Sequence, residues 1–277
     1  MGFPALACDC HAHILGPASG FAYSPDRVYT PPDCLLPDYR AMLATLGVER
    51  AVLVQPSVYG TDNTVMLKAL REAGSAFRGV AVVDWTVGDA VLGDLHALGV
   101  RGVRVNVVDV KEGGGELPLE RLRGLARRIA PRGWHLELLA HVDGFPALDR
   151  DLADFPVEVV FGHLGYVRTG RGIDAPGFRA LLRLLESGRA WVKLTGPYRI
   201  SAGTMPHADV AAFARELLRA APDRVVWGSD WPHVMVKGAM PNDGDLADLL
   251  AGWIPDEALR RRVLVDNPAR LYGFPPA

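Results

Sequence analysis

The sequence has little cysteine, no long apolar run and no excess of charge of either sign. Its three cysteines all lie within the first 34 of 277 residues, an odd and crowded set that does not form a disulfide framework and is typical of a reducing compartment. No stretch approaches the roughly 18 uninterrupted apolar residues of a membrane-spanning helix. The N-terminal segment MGFPALACDC also lacks the basic and long apolar regions of a signal peptide. These absences predict a cytoplasmic protein that does not associate with a membrane.

The charge balance narrows the possible partners. With 30 Lys and Arg against 32 Asp and Glu, the formal net charge is −2, whereas a nucleic-acid-binding surface needs a basic excess. A Gly-rich phosphate-binding loop after an early strand is also missing, which argues against a nucleotide-binding fold. We therefore expect no nucleic-acid partner, a small-molecule substrate, and a monomer or small homo-oligomer.

Eight short apolar segments alternate with helical patterns along the chain. The predicted strands are 8–13, 51–55, 79–84, 100–106, 135–140, 157–163, 190–196 and 224–230. The helical patterns include 39–47, 64–74, 121–130, 178–188, 210–220 and 256–266. Strands that are apolar on both faces and alternate with helices are typical of a parallel sheet covered on both sides. We predict an α/β fold, a single (β/α)8 barrel domain over residues 1–277, with an open doubly wound sheet as the alternative.

Polar residues gather at the C-terminal ends of the predicted strands, where the reacting groups of such barrels lie. His11 and His13 end the first strand, His163 ends the sixth, and Asp230 ends the eighth. Two imidazoles at i and i+2 can converge on one ligand or metal ion, although a packed histidine is the simpler interpretation of either one alone. By contrast, His207 in MPHADV is expected at a surface or packing position. Three histidines and an aspartate at three strand ends favour one shared catalytic site.

Alternation of side chains along the first strand gives a further prediction. Asp9, His11 and His13 should share one face, and Cys8 and Cys10 should lie on the other. This separation argues against a mixed cysteine–histidine metal cluster. We expect the two cysteines to pack against helices.

Three charged residues inside predicted strands have more than one interpretation. Arg104 either pairs with a structural carboxylate or binds an anionic substrate through bidentate hydrogen bonds. Glu137 either pairs with Arg104 or completes a metal site with His11 and His13. For Lys193, a structural ion pair is favoured over a catalytic role.

The motifs along the chain resemble those of the amidohydrolase superfamily, in its amidohydrolase-2 branch. Within that branch they are similar to those of the 2-pyrone-4,6-dicarboxylate lactonase-like proteins. The matching motifs run almost from end to end and in order: DCHAHILGP, YSPDRVYTPPD, LVQPSVYGTDN, RGVRVN, GWHLEL, GHLG, VWGSDWPH and NPARLYGF. The resemblance implies a distorted (β/α)8 TIM barrel that hydrolyses a carboxylated lactone with activated water.

The resemblance also implies roles for individual residues. Asp230 in GSDWPH matches the general base, while His11, His13 and His163 match groups that polarise the reacting carbonyl. The positions that match substrate-contacting residues are Tyr29, Ser57, Arg104, Arg199 and His233. Together these roles imply a small anionic substrate.

The chain departs from the lactonase pattern at three places. It has Val110 and Lys111 in the loop after the fourth strand, where the pyrone-dicarboxylate lactonase has an arginine. After GHLG it has Tyr166 in place of another arginine, and Leu139 takes the place of a tyrosine on the fifth strand. The hydrolytic residues remain, so the resemblance implies a lactone without fixing it as a dicarboxylate.

Metal dependence stays open from the sequence alone. Most of the superfamily uses a divalent metal, whereas the pyrone lactonases work without one, and the motif match favours catalysis without a cofactor. A single Zn²⁺ or Mn²⁺ would be held by His11, His13 and Asp230, with Glu137 or His163 completing the set. The alternative function on the same scaffold is metal-dependent decarboxylation of an unsaturated carboxylic acid.

Overall fold

Eight parallel strands close into a barrel in the computed structural model, which describes residues 2–108, 117–236 and 238–276. Each strand pairs in parallel with the next one along the chain. A backbone bridge between Ala12 and Trp231 joins the first strand to the segment after the last. This closure confirms the predicted distorted (β/α)8 TIM barrel. The strands are β1 (Cys8–Ala12), β2 (Arg50–Val54), β3 (Phe77–Ala81), β4 (Val100–Asn106), β5 (His135–Leu139), β6 (Val159–Phe161), β7 (Ala190–Leu194) and β8 (Val225–Trp227).

Amphipathic helices surround the barrel. The helices are α1 (Leu36–Leu46), α2 (Thr64–Ala73), α3 (Asp89–Ala97), α4 (Leu119–Ile129), α5 (Leu148–Asp151), α6 (Pro176–Glu186), α7 (Ala211–Ala220), α8 (Asp243–Trp253), α9 (Glu257–Arg261) and α10 (Asn267–Tyr272). The buried side chains of α4 show why such a segment is helical, because they recur at the spacing of one helix face: Leu122, Leu125, Ala126 and Ile129. The pattern predicted as one helix over 256–266 is α9 followed by a π-helical turn, Arg262–Asp266. No helix in the described ranges has the length and apolar character needed to cross a membrane.

Two apolar layers stabilise the barrel. The outer layer lies between the strands and the helices and includes Leu53, Leu136 and Phe161. The inner layer fills the barrel interior and consists of Cys8, Cys10, Val52, Val54, Val80, Val160, Trp191 and Val226, closed off by Leu271, Tyr272 and Phe274. The two cysteines were expected to pack against helices; they lie in the inner layer, where the helical residues of the same cluster are Leu271 and Tyr272 of α10.

A β-bulge in β1 changes which side chains face the barrel interior. From Asp9 to Ala12 the strand advances three residues while its partner β2 advances two. On one side of this irregularity, Asp9 accepts a hydrogen bond at 2.9 Å from the hydroxyl of Tyr39, which lies on α1. On the other side, His11 faces the interior. The prediction that Asp9 shares a face with His11 and His13 is therefore wrong, since strict alternation does not survive a bulge.

Candidate active site

A cavity of about 750 Å³ opens where the C-terminal ends of the strands meet. Among the residues that line it are six with a predicted role: His13, Tyr29, Ser57, Arg104, His163 and Arg199. His11 and Asp230 are almost fully buried and lie behind the cavity wall. The structure thus brings together side chains from β1, from β4 and from the segments after β1, β2, β6, β7 and β8.

Asp230 is anchored through only one of its two carboxylate oxygens. Arg199 Nε donates to Oδ2 at 2.5 Å, and the Tyr198 hydroxyl donates to the same oxygen at 2.6 Å. Oδ1 is buried, has no hydrogen-bond partner among the described residues, and lies 3.8 Å from His11 Nε2. The backbone of Asp230 has φ 67°, a conformation that non-glycine residues keep mainly at functional sites. One oxygen therefore fixes the carboxylate, and the other is available to a water molecule or a ligand.

The electrostatic surroundings keep Asp230 ionised. Burial alone would raise the pKa of Asp230, but the adjacent Arg199 guanidinium, together with the hydrogen bonds from Arg199 and Tyr198, holds it below its usual range. Burial would lower the pKa of Arg199, but the charge of Asp230, the hydrogen bond to Asp230 and smaller neighbouring effects together raise it. The pKa of Tyr198 is raised well above its ordinary value by burial and by the charge of Asp230. The site therefore holds an ion pair and a protonated tyrosine at neutral pH.

His11 has a different environment at each ring nitrogen. Its Nδ1 lies 3.3 Å from Lys193 Nζ and 3.6 Å from Glu137 Oε1, while Lys193 Nζ and Glu137 Oε2 form an ion pair at 2.6 Å. Its Nε2 is buried on the side of Asp230 and has no hydrogen-bond partner in the part of the chain that the structure describes. Burial, followed by the charge of Lys193, lowers the pKa of His11 well below its ordinary value. The neutral ring presents a proton at Nε2 when Nδ1 accepts from Lys193, and a lone pair when Nδ1 donates to Glu137.

The Lys193–Glu137 ion pair decides two of the open predictions. Lys193 has the structural partner that the sequence favoured. Glu137 pairs with Lys193 rather than with Arg104, although Arg104 and Glu137 are direct neighbours in the β4–β5 register. Both members of the pair are buried inside the barrel, so they fix the orientation of His11 from behind.

His13 and His163 are neutral side chains with different hydrogen-bonding capacity. His13 Nδ1 lies 2.7 Å from the carbonyl oxygen of Val54. Because a carbonyl oxygen only accepts, Nδ1 carries the proton and Nε2 has a lone pair. Burial and then the charge of Arg104 lower the pKa of His13 to about 3, and burial is also the main reason why the pKa of His163 falls to about 3. His163 Nδ1 is buried 3.9 Å from Asp230 Oδ2, and no described residue forms a hydrogen bond with it.

Two glycines allow these side chains to approach one another. A Cβ on Gly196, which has φ 57°, would lie 2.7 Å from Asp230 Oδ2 and 3.0 Å from His163 Nδ1. A Cβ on Gly228 would lie 2.7 Å from the Cβ of His11. A larger residue at either position would therefore displace the reacting groups.

The two arginines predicted to bind substrate have different partners. Arg199 is paired with Asp230 and also donates from Nη2 to the carbonyl oxygen of Val234 at 3.2 Å. Arg104 Nη1 donates to the carbonyl oxygen of Gln55 at 3.2 Å, and its Nε has no partner among residues 2–108, 117–236 and 238–276. Within the described ranges no carboxylate lies within ion-pair distance of Arg104. The charge of Arg104 is thus available to an anion, whereas that of Arg199 is already balanced.

His233 lies behind Tyr198 and is not among the cavity-lining residues of the described chain. Its Nδ1 is 2.9 Å from the Tyr198 hydroxyl, and its Nε2 is 3.0 Å from Asp243 Oδ1. Since Tyr198 donates its one proton to Asp230, it accepts from His233 Nδ1. His233 therefore supports Tyr198 and does not line the cavity itself. Sequence reasoning gave no role to Tyr198, although Tyr198 directly precedes Arg199.

Asp9 joins the two sides of the barrel closure next to the site. Its Oδ1 accepts from the backbone N–H groups of Ser229 at 2.8 Å and of His11 at 3.1 Å, and its Oδ2 accepts from the Ser229 hydroxyl at 2.5 Å and from Tyr39. Burial raises the pKa of Asp9 to about 6, although these hydrogen bonds act in the opposite direction. Asp9 is thus a buried carboxylate that holds β1 against the segment after β8.

The cavity wall also contains residues that the sequence placed elsewhere. His207, expected at a surface or packing position, lines the cavity, and its buried Nδ1 has no hydrogen-bond partner within the described ranges. Nothing in the motif MPHADV signals this position. Leu139 and Tyr166, two of the departures from the lactonase pattern, line it as well. Val110 and Lys111 lie outside the described residues.

His11, His13 and Asp230 form a group that could hold a metal ion. Each offers one ligand atom, and these atoms lie within 4.8 Å of one another. Two imidazoles and a carboxylate suit Zn²⁺ or Mn²⁺, and the partnerless His11 Nε2 and Asp230 Oδ1 fit such an ion. The structure does not bring Glu137 into this group, because Glu137 is paired with Lys193 on the far side of His11.

Comparisons with known proteins agree with this architecture. The family model described as amidohydrolase matches residues 8–274. A 4-sulfomuconolactone hydrolase of Rhizobium radiobacter is 39% identical over 275 residues, which are 98% of this chain and 91% of that protein. A 2-pyrone-4,6-dicarboxylate hydrolase of Comamonas testosteroni is 39% identical over 279 residues, covering 97% and 90% of the two chains. The crystal structure of a probable 2-pyrone-4,6-dicarboxylic acid hydrolase from Acinetobacter baumannii, with citric acid bound, has a TM-score of 0.84 at 27% identity and covers 97% of this chain and 100% of that one. This chain therefore belongs to the amidohydrolase family.

Proposed function

We propose that the protein hydrolyses a carboxylated lactone, such as a pyrone, a muconolactone or a sugar-acid lactone, with Asp230 as the general base. The observation that carries this proposal is the asymmetry of Asp230: Oδ2 is held by Arg199 and Tyr198, while Oδ1 is buried without a partner. Relatives named for a muconolactone and a pyrone support a cyclic ester as the substrate. The cavity beside this carboxylate is large enough for a small ring compound.

The chemical step follows from the atoms that lack partners. A water molecule beside Asp230 Oδ1 can donate one hydrogen bond to that oxygen and the other to the lone pair of His13 Nε2. Asp230 takes a proton as the water oxygen bonds to the lactone carbonyl carbon. The tetrahedral intermediate then collapses, the ring C–O bond breaks, and the ring oxygen leaves with the proton that Asp230 held.

The developing negative charge on the carbonyl oxygen needs donors, and the neutral histidines do not supply them equally. His13 has already used its only proton on Val54. Arg104 keeps free N–H groups at the cavity, and His163 Nδ1 lacks a partner. We assign the stabilisation of the oxyanion to His163, the positioning of the water molecule to His13, and the binding of the substrate carboxylate to Arg104. His11 lies behind the cavity wall next to Asp230, and Lys193 and Glu137 determine which of its ring nitrogens carries the proton.

A divalent ion bound by His11, His13 and Asp230 would supply Lewis-acid polarisation of a substrate oxygen. This three-residue group also supports a second candidate function, metal-dependent decarboxylation of an unsaturated acid. The two reactions differ in their products, because decarboxylation releases CO₂ and consumes no water. Elemental analysis of the purified protein, with product analysis before and after chelation, separates them.

The test of the proposal is Asp230→Asn assayed by proton release on a panel of lactones. We expect the rate to fall by about 10²–10⁴, the contribution of a general base. Asp94→Asn, at an exposed carboxylate on α3, is the matched control and should keep wild-type turnover. Wild-type turnover in a folded Asp230→Asn variant would refute the assignment.

A further inference from the structure

One wall of the cavity is apolar where it meets solvent. Met205, Met235 and Met240 line the cavity and are 38%, 52% and 62% exposed. The apolar side chains beside them in the same wall are Val234, Val236, Ala239 and Pro241. Single exposed apolar residues are common in soluble proteins, whereas several at one cavity mark a binding surface. We call Met205, Met235 and Met240 the methionine rim.

Among the described residues that line the cavity, the charged side chains are distributed unevenly. Arg104, at the end of β4, has a guanidinium without a carboxylate partner within the described ranges, and the charge of Arg199 is balanced by Asp230. The segment that carries Met240 leads into α8, where the carboxylate residue Asp245 also lines the cavity. A substrate anion would be attracted to Arg104, while a second anion placed at the methionine rim would lose hydration and be repelled by Asp245.

We infer that the substrate carries a single carboxylate, bound by Arg104, and an apolar substituent that packs against the methionine rim. This inference rests on the proposed lactone hydrolysis and adds the substrate class to it. Methionine side chains are flexible and polarisable, so they accommodate alkyl or aryl groups of different shapes. Leu139 extends the apolar lining inside the cavity.

The experiment compares three unsaturated five-membered lactones that share one ring: a monocarboxylate, the same monocarboxylate with a propyl group, and a dicarboxylate. For the wild-type protein we expect the propyl compound to have the highest kcat/KM, by about 10-fold or more over the unsubstituted monocarboxylate, which is the usual discrimination for extra methylenes in an apolar pocket. The dicarboxylate should be hydrolysed at least about 10-fold less efficiently than the propyl compound, because its second charge meets the apolar rim and Asp245.

Variants of the rim connect this preference to the structure. Met205→Lys and Met240→Lys should reduce the propyl preference to about twofold or less and raise kcat/KM for the dicarboxylate, because each puts a positive charge where the apolar group packs. Val91→Lys is the matched control: Val91 is 52% exposed and lies on α3, outside the cavity. It should leave all three values unchanged.

The outcomes separate this inference from the proposed function. A wild-type preference for the dicarboxylate, or a propyl preference that survives both rim substitutions, would overturn the inference while lactone hydrolysis stands. If neither these three lactones nor any lactone of the panel used for Asp230→Asn is hydrolysed, the proposed function fails, and calorimetric binding of the three compounds to Asp230→Asn still decides the inference. Tighter binding of the propyl compound would support it, and equal or weaker binding would overturn it.

Discussion

Replacing Arg199 by methionine should bring the titration of Asp230 into the pH range in which enzyme assays are run. Arg199 Nε donates to Asp230 Oδ2 at 2.5 Å, and the carboxylate is fully buried. Burial raises the pKa of Asp230, and the neighbouring guanidinium is the largest of the effects that keep it low. Without that charge, burial determines the pKa.

The expected shift can be derived from the cost of removing one member of a buried ion pair. That cost is about 3–5 kcal/mol, and one pKa unit corresponds to about 1.4 kcal/mol, so the pKa of Asp230 should rise by about 2–4 units. In the wild-type protein, kcat/KM should stay level down to about pH 4, because the base is still ionised there. In Arg199→Met the base becomes protonated as the pH falls through the raised pKa, so activity should already decline below about pH 5.

The assay is kcat/KM against pH for one acidic and one neutral lactone, with thermal melts at each pH. Arg199→Lys, which keeps the charge, serves as the conservative control and should shift the acid limb less. Identical acid limbs for Arg199→Met and the wild-type protein would refute the argument. A uniform loss confined to the acidic lactone would also refute it, because Arg199 would then act on the substrate rather than on Asp230.

Three further substitutions test the structure around the site. Gly196→Ala should lower kcat by about 10- to 100-fold, since its Cβ would lie 2.7 Å from Asp230 Oδ2. The control, Gly172→Ala, also has a positive φ (76°) but has open space around it, and it should leave kcat unchanged. Equal losses of kcat in both variants would mean that backbone strain alone causes the loss. Asp9→Asn should remove a pH dependence of the free energy of unfolding. Because the pKa of Asp9 is raised from 3.8 to about 6, its protonation stabilises the folded state most below pH 4, and about 3 kcal/mol of this stabilisation is lost as the pH rises from about 4 to about 6. Urea unfolding of wild type and variant at pH 4 and pH 8 should show most of this difference, and parallel pH profiles would contradict it. Glu137→Gln should lower the free energy of unfolding by about 3–5 kcal/mol because Lys193 keeps an uncompensated buried charge. Adding Lys193→Met to Glu137→Gln should recover most of the lost stability. A double variant as unstable as the single one would exclude this explanation.

The order of strands and helices could be predicted from the sequence because it depends on local apolar periodicity. The fourth strand, 100–106, has the bounds predicted for it. The sixth and eighth strands are shorter than predicted, Val159–Phe161 and Val225–Trp227. In both cases the backbone leaves the strand just before a site residue with positive φ, His163 or Asp230. The strand pattern continues through these positions in the sequence, whereas the chain itself turns there to place a functional side chain.

The partners within the site could not be predicted to the same degree. The bulge in β1 has no periodic signal, so the face of Asp9 was assigned wrongly. The pairing of Glu137 with Lys193 joins β5 and β7, which are not adjacent in the sheet, and the neighbouring Arg104 was the more obvious candidate in sequence terms. Which side chains pair depends on how far they reach across the barrel interior, and the order of the strands alone does not give that information.

The barrel closure between β1 and the segment after β8 has a consequence for how the enzyme matures. The backbone N–H of Asp230 donates to the carbonyl oxygen of His11 at 2.9 Å, and that of His13 donates to the carbonyl oxygen of Trp231 at 2.9 Å. These contacts join parts of the chain separated by more than 200 residues, the kind of contact that forms late in folding. Until the segment after β8 docks on β1, Asp230 does not lie opposite His11 and His13. Closure of the barrel and assembly of the candidate site are therefore one event, and a substitution that loosens this junction separates the carboxylate from the two imidazoles.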